Sequence, residues 1–415
     1  MDKKHKIKIY TLGCKVNQYD SGWLGAQLHD CGFEIAKSNA DLAIINTCAV
    51  TKAAIRKDRQ MISKAKKENP EAKIVVIGCW PKTYVVDKND LSVDQVLNSR
   101  NPSNVIKEIK KMLGVGDFKK SCSQNVLVAN DRARYFIKIQ DGCEQFCSYC
   151  IIPFARGPIK SRDAQEIIEE IKLAIKKGYQ EFVLTGIHLG LYGKDLGSTN
   201  LVKLLQKIVQ IEGLGRVRLS SVEITEVSDD LIKLIAHNKK ICKHLHVPLQ
   251  SGCDKILKLM NRPYDTKFFR ERVKKIRKTM PEIALTTDVI VGFPGEDEKD
   301  FNTTFEFIKK INFSRLHIFP FSAHEKTKAY SLPDKVDEQL KKSGVEKLRE
   351  LSSKLEIKYR CSFKGKIVDV LIEKKIGDKY RGKTEHYLDI EFSKDQVLSK
   401  KQAKLKIGEI VQVKL

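Results

Sequence analysis

The sequence lacks any long apolar run. Hydrophobic residues make up 41% and charged residues 31% of its 415 residues, a balance typical of folded globular proteins rather than fibrous or disordered ones. The first residues, MDKKHKIKIYTLGC, pass from charge into an amphipathic strand without the apolar stretch of a signal peptide. No repeat of solenoid period and no low-complexity tract is present. We therefore expect a cytoplasmic protein of two or three domains, with no membrane partner.

Acidic residues are few relative to basic ones. The chain has 52 Asp and Glu against 77 Lys and Arg, which gives a formal charge of +25. A surface with this excess attracts extended polyanions, so nucleic acid is the natural partner. A lysine-rich surface that is merely solvated is the alternative reading of the same numbers.

The chain has eleven cysteines, an unusual number for a protein that we expect to be cytoplasmic. Thiols stay reduced in the cytosol, so a disulfide framework explains them poorly. Metal binding or redox chemistry is the better interpretation.

The order of apolar runs and helical patterns predicts an α/β protein of three domains. Residues 1–115 alternate short strands with helices, as in a parallel α/β sheet. After a polar linker, six further strand-helix units within 129–358 predict a partial (β/α)6 barrel, and a long helix over 336–360 leads out of it. Residues 361–415 hold short strands with 13 Lys and Arg against 8 Asp and Glu. They predict a small RNA-binding β-barrel, although a structural cap fits equally well.

The most specific pattern is DGCEQFCSYC, which contains Cys143, Cys147 and Cys150 directly after the first strand of the predicted barrel. Thiolates suit iron-sulfur clusters, and this close spacing lets one loop wrap one cubane. Three ligands for four irons leave one iron open for chemistry. The alternative is a zinc knuckle, but no fourth ligand lies nearby in sequence, and His188, the nearest candidate, is far along the chain.

A second set of cysteines appears once the strands are assigned. Cys14, Cys48 and Cys79 each follow the carboxyl end of a predicted parallel strand. These ends lie along one edge of a sheet, so cysteines about 30 residues apart in sequence can meet in space and bind metal together. The remaining cysteines share no such placement, and we interpret them as core or incidental residues: Cys31, Cys122, Cys242, Cys253 and Cys361.

Seven segments, in order over nearly the whole chain, resemble the methylthiotransferase family of radical S-adenosylmethionine (AdoMet) enzymes: TLGCKVNQYDS, NTCAV, VIGCW, KIQDGCEQFCSYCIIPFARG, LTGIHLGLYG, HLHVPLQSG and TTDVIVGFPGE. The words GCKVN and CSYCIIPFARG are similar to the branch that modifies threonylcarbamoyladenosine beside the anticodon of tRNA. The isopentenyladenosine branch reads closer to GCQMN, and the ribosomal-protein branch closer to GCPKN.

The resemblance implies a methylthiotransferase N-terminal domain, a radical AdoMet core and a C-terminal TRAM-like domain. It also implies two [4Fe-4S] clusters: an auxiliary cluster on Cys14, Cys48 and Cys79, and the radical-generating one on Cys143, Cys147 and Cys150. One AdoMet would methylate a sulfur and a second would yield the radical that abstracts the hydrogen from carbon 2 of adenine. This chemistry requires an electron donor such as flavodoxin or ferredoxin, and the sequence leaves the sulfur donor open.

Further residues are candidates for AdoMet or substrate. The absent side chain of Gly186 would let the backbone approach the cofactor, although it can equally serve only to turn the chain. The carboxylate of Glu223 suits ribose hydroxyls, unless it pairs with Arg218 or another base. The other cofactor candidates are Gln250, Val291 and Gly292, and the substrate, phosphate or cofactor-carboxylate candidates are Lys15, Arg156 and Arg162.

Two functions of other classes stay open at the level of sequence. One is a non-enzymatic RNA-binding protein with structural metal sites, for which zinc rather than iron is expected. The other is a radical AdoMet enzyme that acts on a ribosomal-protein side chain, which would have no need of the charge of +25. A tRNA methylthiotransferase accounts for both the cysteines and the charge.

Overall fold

The computed structural model of the chain describes residues 4–98, 101–115, 132–398 and 405–415. Most of the predicted linker, together with Cys122, lies outside these ranges. The described chain forms two compact units. The first unit takes in the residues up to 115 together with 150–158 and 322–327, and the second holds 132–149, 159–321 and 328–415. None of the helices in these ranges has the length and apolar character needed to cross a bilayer.

The first unit is a five-stranded parallel sheet in the order β2-β1-β3-β4-β5, with helices beside it. Its elements are β1 Lys6–Thr11, α1 Lys15–Asp30, β2 Glu34–Ile35, β3 Leu42–Thr47, α2 Lys52–Glu68, β4 Lys73–Gly78, α3 Trp80–Thr83, α4 Lys88–Leu91, β5 Gln95–Val96, α5 Pro102–Leu113 and, after Cys150, α6 Ile152–Arg156.

The central strand β3 explains why this sheet is covered on both sides. Every residue of β3 is buried, as expected for a parallel strand between two helical layers. Ile44 packs in one apolar cluster with Leu28 and Ile106, and Ile45 packs in another with Ile62. The alternation of side chains along the strand thus supplies both halves of the core.

The second unit contains six parallel strands, with a short antiparallel pair of strands after the first of them and helices between the others. Its elements are β6 Arg134–Lys138, β7 Gln140–Asp141, β8 Lys160–Ser161, α7 Ala164–Lys176, β9 Glu181–Thr185, α8 Leu201–Ile208, β10 Arg216–Leu219, α9 Asp229–His237, β11 His244–His246, α10 Asp254–Leu259, α11 Thr266–Thr279, β12 Ala284–Val291, α12 Glu298–Ile311, β13 Arg315–Pro320, α13 Glu338–Cys361, β14 Ile367–Ile376, β15 Lys379–Thr384, β16 Asp389–Phe392 and β17 Ile410–Lys414.

These six strands form an open array rather than a closed barrel. They pair as two parallel sheets, β10-β9-β6 and β11-β12-β13. Single bridges from Val217 to Ile241 and from Ser221 to His246 join the two sheets. Among the described residues no hydrogen bonds join β6 to β13, so the predicted partial barrel is confirmed in its six strands and stays open.

The C-terminal strands form an antiparallel sheet in the order β16-β15-β14-β17, and in the described part of the chain it does not close into the predicted small barrel. The long helix α13 precedes it and covers β13, where the Ser352 hydroxyl accepts a hydrogen bond from the backbone of Leu316. The fold is therefore mixed α/β, with parallel strands first and an antiparallel sheet last, as the sequence predicts.

Two buried arginines attach this last sheet to the parallel strands. Arg216 and Arg218 of β10 both pair with Glu181 of β9, with nitrogen-oxygen distances of 2.6 and 2.9 Å. Their remaining N–H groups donate to backbone carbonyls of the C-terminal sheet and the turn after β15, among them Lys383 and Glu385. Burial raises the pKa of Glu181, but the two guanidinium groups outweigh it and lower that pKa to about 2.

Candidate iron-sulfur centres and cofactor site

Cys14, Cys48 and Cys79 lie at the carboxyl edge of the first sheet. Cys14 caps the N-terminus of α1, and Cys48 and Cys79 directly follow β3 and β4. The strands β1, β3 and β4 are adjacent and parallel, so the three cysteines share one edge, as their sequence positions predict.

Burial and neighbouring thiols affect the pKa values of the cysteines at this edge. Burial raises the pKa of Cys48 to about 12, and both Cys79 and Cys14 add to this rise. Desolvation also raises the pKa of Cys14, and Cys79 contributes to it. The neighbouring thiols thus disfavour a thiolate at Cys48 and at Cys14, a cost that a shared cation would remove. The donor set of three thiolates fits an iron-sulfur cluster with one open iron.

Glycines before two of these cysteines permit the close approach. Gly13 has φ of +91°, and a Cβ there would lie 2.8 Å from the Cβ of Cys48. Gly78 has φ of +105°, and a Cβ there would lie 2.5 Å from the carbonyl oxygen of Thr47. Any other residue would be strained at both positions and would push the strand ends apart.

Polar side chains form hydrogen bonds with the backbone at this edge of the sheet. The amide of Asn17 donates to the carbonyls of Leu12 and Thr47, at 2.9 and 2.8 Å. The carboxyl of Asp58 accepts from the backbone N–H of Cys48, and burial raises its pKa to about 8. These contacts fix the backbone on which the cysteines stand.

Arg156 belongs to the same unit and is completely buried. It pairs with Asp20 at 3.0 Å and donates to the side chain of Asn17. Its positive charge also lowers the pKa of Cys14, in opposition to desolvation. The structure thus gives Arg156 partners within the protein, and the predicted phosphate contact receives no support from this geometry. Lys15 is the first residue of α1, directly after Cys14.

In the second unit, Cys143 and Cys147 lie in the loop that follows β7. Phe146, between them, adopts a left-handed conformation with φ of +47°. Burial raises the pKa of Cys147, while the nearby Arg262 opposes this effect and donates a hydrogen bond to its Sγ at 3.1 Å. A hydrogen bond of this kind stabilises a thiolate ligand. Cys150 begins the segment 150–158 that groups with the first unit.

His188, which sequence spacing alone leaves remote, lies beside Cys143. Its Nδ1 is 3.5 Å from the Sγ of Cys143, and its Nε2 is 3.2 Å from a carboxylate oxygen of Glu226. Burial lowers the pKa of His188, but Cys143 and Glu226 outweigh it and raise that pKa to about 10. The ring of His188 is therefore held between the carboxylate of Glu226 and the Sγ of Cys143, a position suited to orienting a ligand from outside its cluster.

Arg262 is the functional residue that sequence reasoning missed. Besides Cys147, its guanidinium binds the carboxylate of Glu223 and donates to the hydroxyl of Tyr264 at 3.1 Å. Glu223 thus pairs with Arg262 and not with Arg218, which binds Glu181. The only sequence signal for it is an arginine in a loop after a short helix, which is too common to single out.

The structure gives three of the AdoMet candidates well-defined surroundings. The space beside Gly186 is taken by Gln140, because a Cβ there would lie 2.9 Å from its Oε1. Gly292 is covered by Lys341 of α13 in the same way. Gln250 has a left-handed φ of +67°, a strain that non-glycine residues keep mainly at functional positions.

The other candidates are placed as follows. Val291 is buried at the end of β12. Arg162 pairs with Glu170 at 2.8 Å. Cys31, Cys242 and Cys253 are buried and Cys361 is exposed. AdoMet contacts at Gly186, Glu223, Gln250, Val291 and Gly292 stay predictions.

Comparison with known families first gives the class of protein. A family model described as "Radical SAM superfamily" matches residues 137–308, and one described as "Uncharacterized protein family UPF0004" matches residues 6–97. The chain is thus a radical AdoMet enzyme, a class defined by one [4Fe-4S] cluster and AdoMet. A radical AdoMet methyltransferase from Kitasatospora setae, TsrM, shares the fold, with a TM-score of 0.60 and 13% identity over 79% of this chain and 77% of its own.

Sequence relatives give the family. The threonylcarbamoyladenosine tRNA methylthiotransferase MtaB of Bacillus subtilis is 36% identical over 99% of this chain and 93% of its own length. The Thermotoga maritima protein of the same name is 38% identical, over 94% and 92%. A tRNA-2-methylthio-N(6)-dimethylallyladenosine synthase of Thermoanaerobacter pseudethanolicus is 34% identical, over 97% and 90%. This chain belongs to the methylthiotransferase family of radical AdoMet enzymes.

Proposed function

We propose that this enzyme adds a methylthio group to carbon 2 of N6-threonylcarbamoyladenosine next to the anticodon in tRNA, with two AdoMet molecules per turnover. The observation that carries this proposal is the identity of 36–38% with relatives named for that reaction, over 94–99% of the chain. The charge of +25 suits a tRNA substrate. The enzyme would act in the cytoplasm and receive electrons from a donor such as flavodoxin or ferredoxin.

The six cysteines would hold two clusters. Cys143, Cys147 and Cys150 would bind the [4Fe-4S] cluster of the radical AdoMet class, and Cys14, Cys48 and Cys79 would bind a second. The placement of the latter three cysteines at the carboxyl ends of adjacent parallel strands supports a shared metal. When present, the first cluster supplies the electron that cleaves AdoMet into a radical able to attack an unactivated C–H bond.

The protein's own residues would hold this machinery in place. Arg262 donates to the Cys147 ligand and pairs with the buried carboxylate of Glu223. Burial raises the pKa of Glu223 and the charge of Arg262 opposes that rise, so the pairing favours a carboxylate that would accept hydrogen bonds from ribose hydroxyls. His188 fixes Cys143 from the other side. Gly186, Gln250, Val291 and Gly292 remain the further AdoMet candidates.

The domain boundaries follow from the same assignment. We take 1–115 as the methylthiotransferase domain, 129–358 as the radical AdoMet core and 361–415 as a TRAM-like domain that adds affinity for RNA. The 13 Lys and Arg of this last segment support that role. Lys15, Arg156 and Arg162 would then be close to the sites of chemistry rather than part of the RNA-binding sheet.

Cysteine replacement tests the two-cluster assignment. Under anaerobic reconstitution, Cys147→Ala should abolish AdoMet cleavage, while Cys48→Ala should keep cleavage, lose methylthio transfer and bind about half the iron. The exposed Cys361→Ala is the matched control and should behave as the wild type. Methylthio transfer by a Cys48→Ala protein that lacks the second cluster would refute the assignment.

The substrate is tested on two tRNAs, one bearing threonylcarbamoyladenosine and the other isopentenyladenosine. We expect the methylthio product, measured by mass spectrometry of nucleosides, only from the first. Product from the isopentenyl tRNA alone would move the enzyme to the reaction for which the Thermoanaerobacter relative is named. Product from neither tRNA, with a modified ribosomal protein instead, would exclude both.

A further inference from the structure

Helix α2 of the first unit carries a large excess of basic side chains. Its 17 residues, KAAIRKDRQMISKAKKE, include seven lysines and arginines but only two acids. Neither acid offsets the charge of the exposed surface. Asp58 is buried and accepts from the backbone N–H of Cys48, and Glu68 pairs with Lys8 and Lys64 at 2.7 and 3.6 Å.

Four of the cations lie along one line of the helix surface. Successive residues of an α-helix are about 100° apart, so residues at spacings of four, three and eight fall within an arc of about 80°. We call these four exposed side chains the α2 stripe: Lys52, Arg56, Arg59 and Lys67. The exposed Ser63 occupies the same line between Arg59 and Lys67, so no acid interrupts it. From first to last residue the stripe measures about 22 Å.

The α2 stripe is not part of an ion-pair network. Within the described residues, none of its four cations has a carboxylate partner. Like charges three or four residues apart, such as Lys52 with Arg56 and Arg56 with Arg59, destabilise a helix. The first turn of α2 has no acid and begins with Lys52, where the helix macrodipole disfavours a cation. These charges therefore cost the fold stability, and an anionic partner would offset that cost.

The α2 stripe begins at the edge of the first sheet that carries the cysteines. Lys52, the first residue of α2, follows Cys48 by four residues. The guanidinium of Arg59 lies 5.5 Å from the ring centroid of Trp80, the residue directly after Cys79. A polyanion on the stripe would thus pass beside the ends of two of the three strands that carry these cysteines.

The length of the stripe favours a nucleic acid over a small anion. A single phosphate would meet one or two of the cations. A stripe of about 22 Å can instead follow successive phosphates of one strand, which in a duplex are about 3.4 Å apart along the axis. The anticodon arm of tRNA supplies such a strand in its stem, and its loop supplies unpaired bases that can turn out towards a protein site.

An acidic electron-donor protein would also be attracted by four cations. Such a donor must reduce the cluster of the radical AdoMet class, which we assign to Cys143, Cys147 and Cys150. The α2 stripe begins beside the other set of cysteines, where the methylthio group would be transferred to the base. Its position therefore favours the RNA.

We propose that the α2 stripe binds the phosphate backbone of the anticodon arm, so that the target adenosine in the loop lies at the edge of Cys14, Cys48 and Cys79. This inference rests on the proposed function and deepens it, because it names a surface through which the first unit holds the tRNA. Contacts to phosphates contribute affinity and register but no base preference. The stripe therefore acts on binding and leaves the choice of base to other residues.

The test uses the full-length enzyme with both clusters and anticodon stem-loops that bear threonylcarbamoyladenosine or isopentenyladenosine. The stripe variant replaces Lys52, Arg56 and Lys67 together by Gln and leaves Arg59 on Trp80. We expect it to bind both RNAs about tenfold more weakly at about 0.1 M salt. The slope of log Kd against log salt should fall by about two to three, because three phosphate contacts are lost. At saturating RNA, kcat should stay at the wild-type value while KM rises.

A charge-matched control replaces three exposed lysines of α11, namely Lys267, Lys274 and Lys278, by Gln. It should keep the salt slope of the wild type. Iron content and melting temperature report folding, and the stripe variant should melt no lower than the wild type, since repulsion between like charges is removed. An unchanged salt slope in the folded stripe variant, or a loss equal to that of the control, would overturn the proposal.

Two further readouts separate the proposal from its rival and from failure of the proposed function. Slower reduction of the clusters by flavodoxin, with unchanged RNA binding and unchanged AdoMet cleavage under dithionite, would assign the α2 stripe to an electron donor instead. Wild-type product from the isopentenyl RNA alone would overturn the proposed function, whereas the salt slope alone decides the role of the stripe.

Discussion

At the scale of single residues, Arg262 joins parts of the site that are distant in sequence. One guanidinium contacts the thiol of Cys147, the carboxylate of Glu223 and the hydroxyl of Tyr264. Arg262 and Glu223 are both buried, and a buried ion pair is costly to break on one side only. The contribution of Arg262 to stability can therefore be separated from its effect on the Cys147 ligand by replacing Arg262 alone or together with Glu223.

We expect Arg262→Met to lower the free energy of unfolding by about 3–5 kcal/mol, because it leaves the carboxylate of Glu223 buried without a cation. The double variant Arg262→Met with Glu223→Met should recover most of that loss, yet it should still cleave AdoMet slowly, since Cys147 has lost its donor. Denaturant unfolding under anaerobic conditions gives the free energies of unfolding for this double-mutant cycle. Additive losses would show that the two residues are not coupled.

Glu296 gives a pH dependence with a defined sign. Burial raises its pKa from 4.5 to about 7. The folded state therefore binds more protons than the unfolded state between these values, so this group contributes stability at low pH that is lost as the pH rises towards 7. We expect Glu296→Gln to raise the melting temperature at pH 8 and to change it little at pH 4.5. The effect corresponds to roughly 3 kcal/mol at most. A stabilisation that is equal at both pH values would exclude this cause.

At the scale of elements, the edge of the first sheet depends on a backbone that only glycine permits. We expect Gly78→Ala to destabilise the protein by about 1–3 kcal/mol and to lower cluster content, because its Cβ would meet the carbonyl of Thr47 at 2.5 Å. Gly114→Ala is the matched control, since Gly114 also has positive φ but no atom within 4 Å of an added Cβ. Equal losses in the two variants would assign the effect to backbone strain alone.

The strands were predictable because each is a short apolar run before a helical pattern. The shared edge of Cys14, Cys48 and Cys79 follows from parallel pairing, so it too could be predicted. The pairing of Arg262 with Cys147 joins residues 115 positions apart, and that of His188 with Cys143 joins residues 45 apart. No periodicity encodes such contacts, because loops of irregular length bring them together.

For the C-terminal sheet too, the composition could be interpreted from the sequence, whereas the contacts could not be predicted. Its basic composition predicts a role in RNA binding. The composition does not indicate that Arg216 and Arg218 of the parallel strands donate hydrogen bonds to backbone carbonyls of this sheet. The sequence pattern also does not predict whether six strands close into a barrel, because closure depends on the pairing of the first and last strands.

At the scale of the whole molecule, removal of residues 363–415 should do more than weaken tRNA binding. Arg216 and Arg218 would lose four backbone acceptors, and each buried donor left unsatisfied costs about 1–3 kcal/mol. We expect the truncated protein to unfold at a much lower temperature or to aggregate. An unchanged melting temperature would show that the C-terminal sheet does not stabilise the rest of the second unit.

Charge and structure can be separated in the full chain. Lys374, Lys375 and Lys379 are exposed on the C-terminal sheet. We expect their joint replacement by Gln to leave the melting temperature unchanged while reducing the dependence of tRNA affinity on salt, since fewer counterions are released. An unchanged salt slope would leave the sheet its structural role alone.

The link between the buried arginines and the last sheet also bears on how the protein is made. The carbonyls that Arg216 reaches lie 153 and 167 residues further along the chain. At ordinary rates of translation this separation takes the ribosome roughly ten to thirty seconds. During that interval both guanidinium groups emerge without their final acceptors. The second unit therefore reaches its native state only after residues 369–385 have been synthesised, and until then it is a natural client for chaperones.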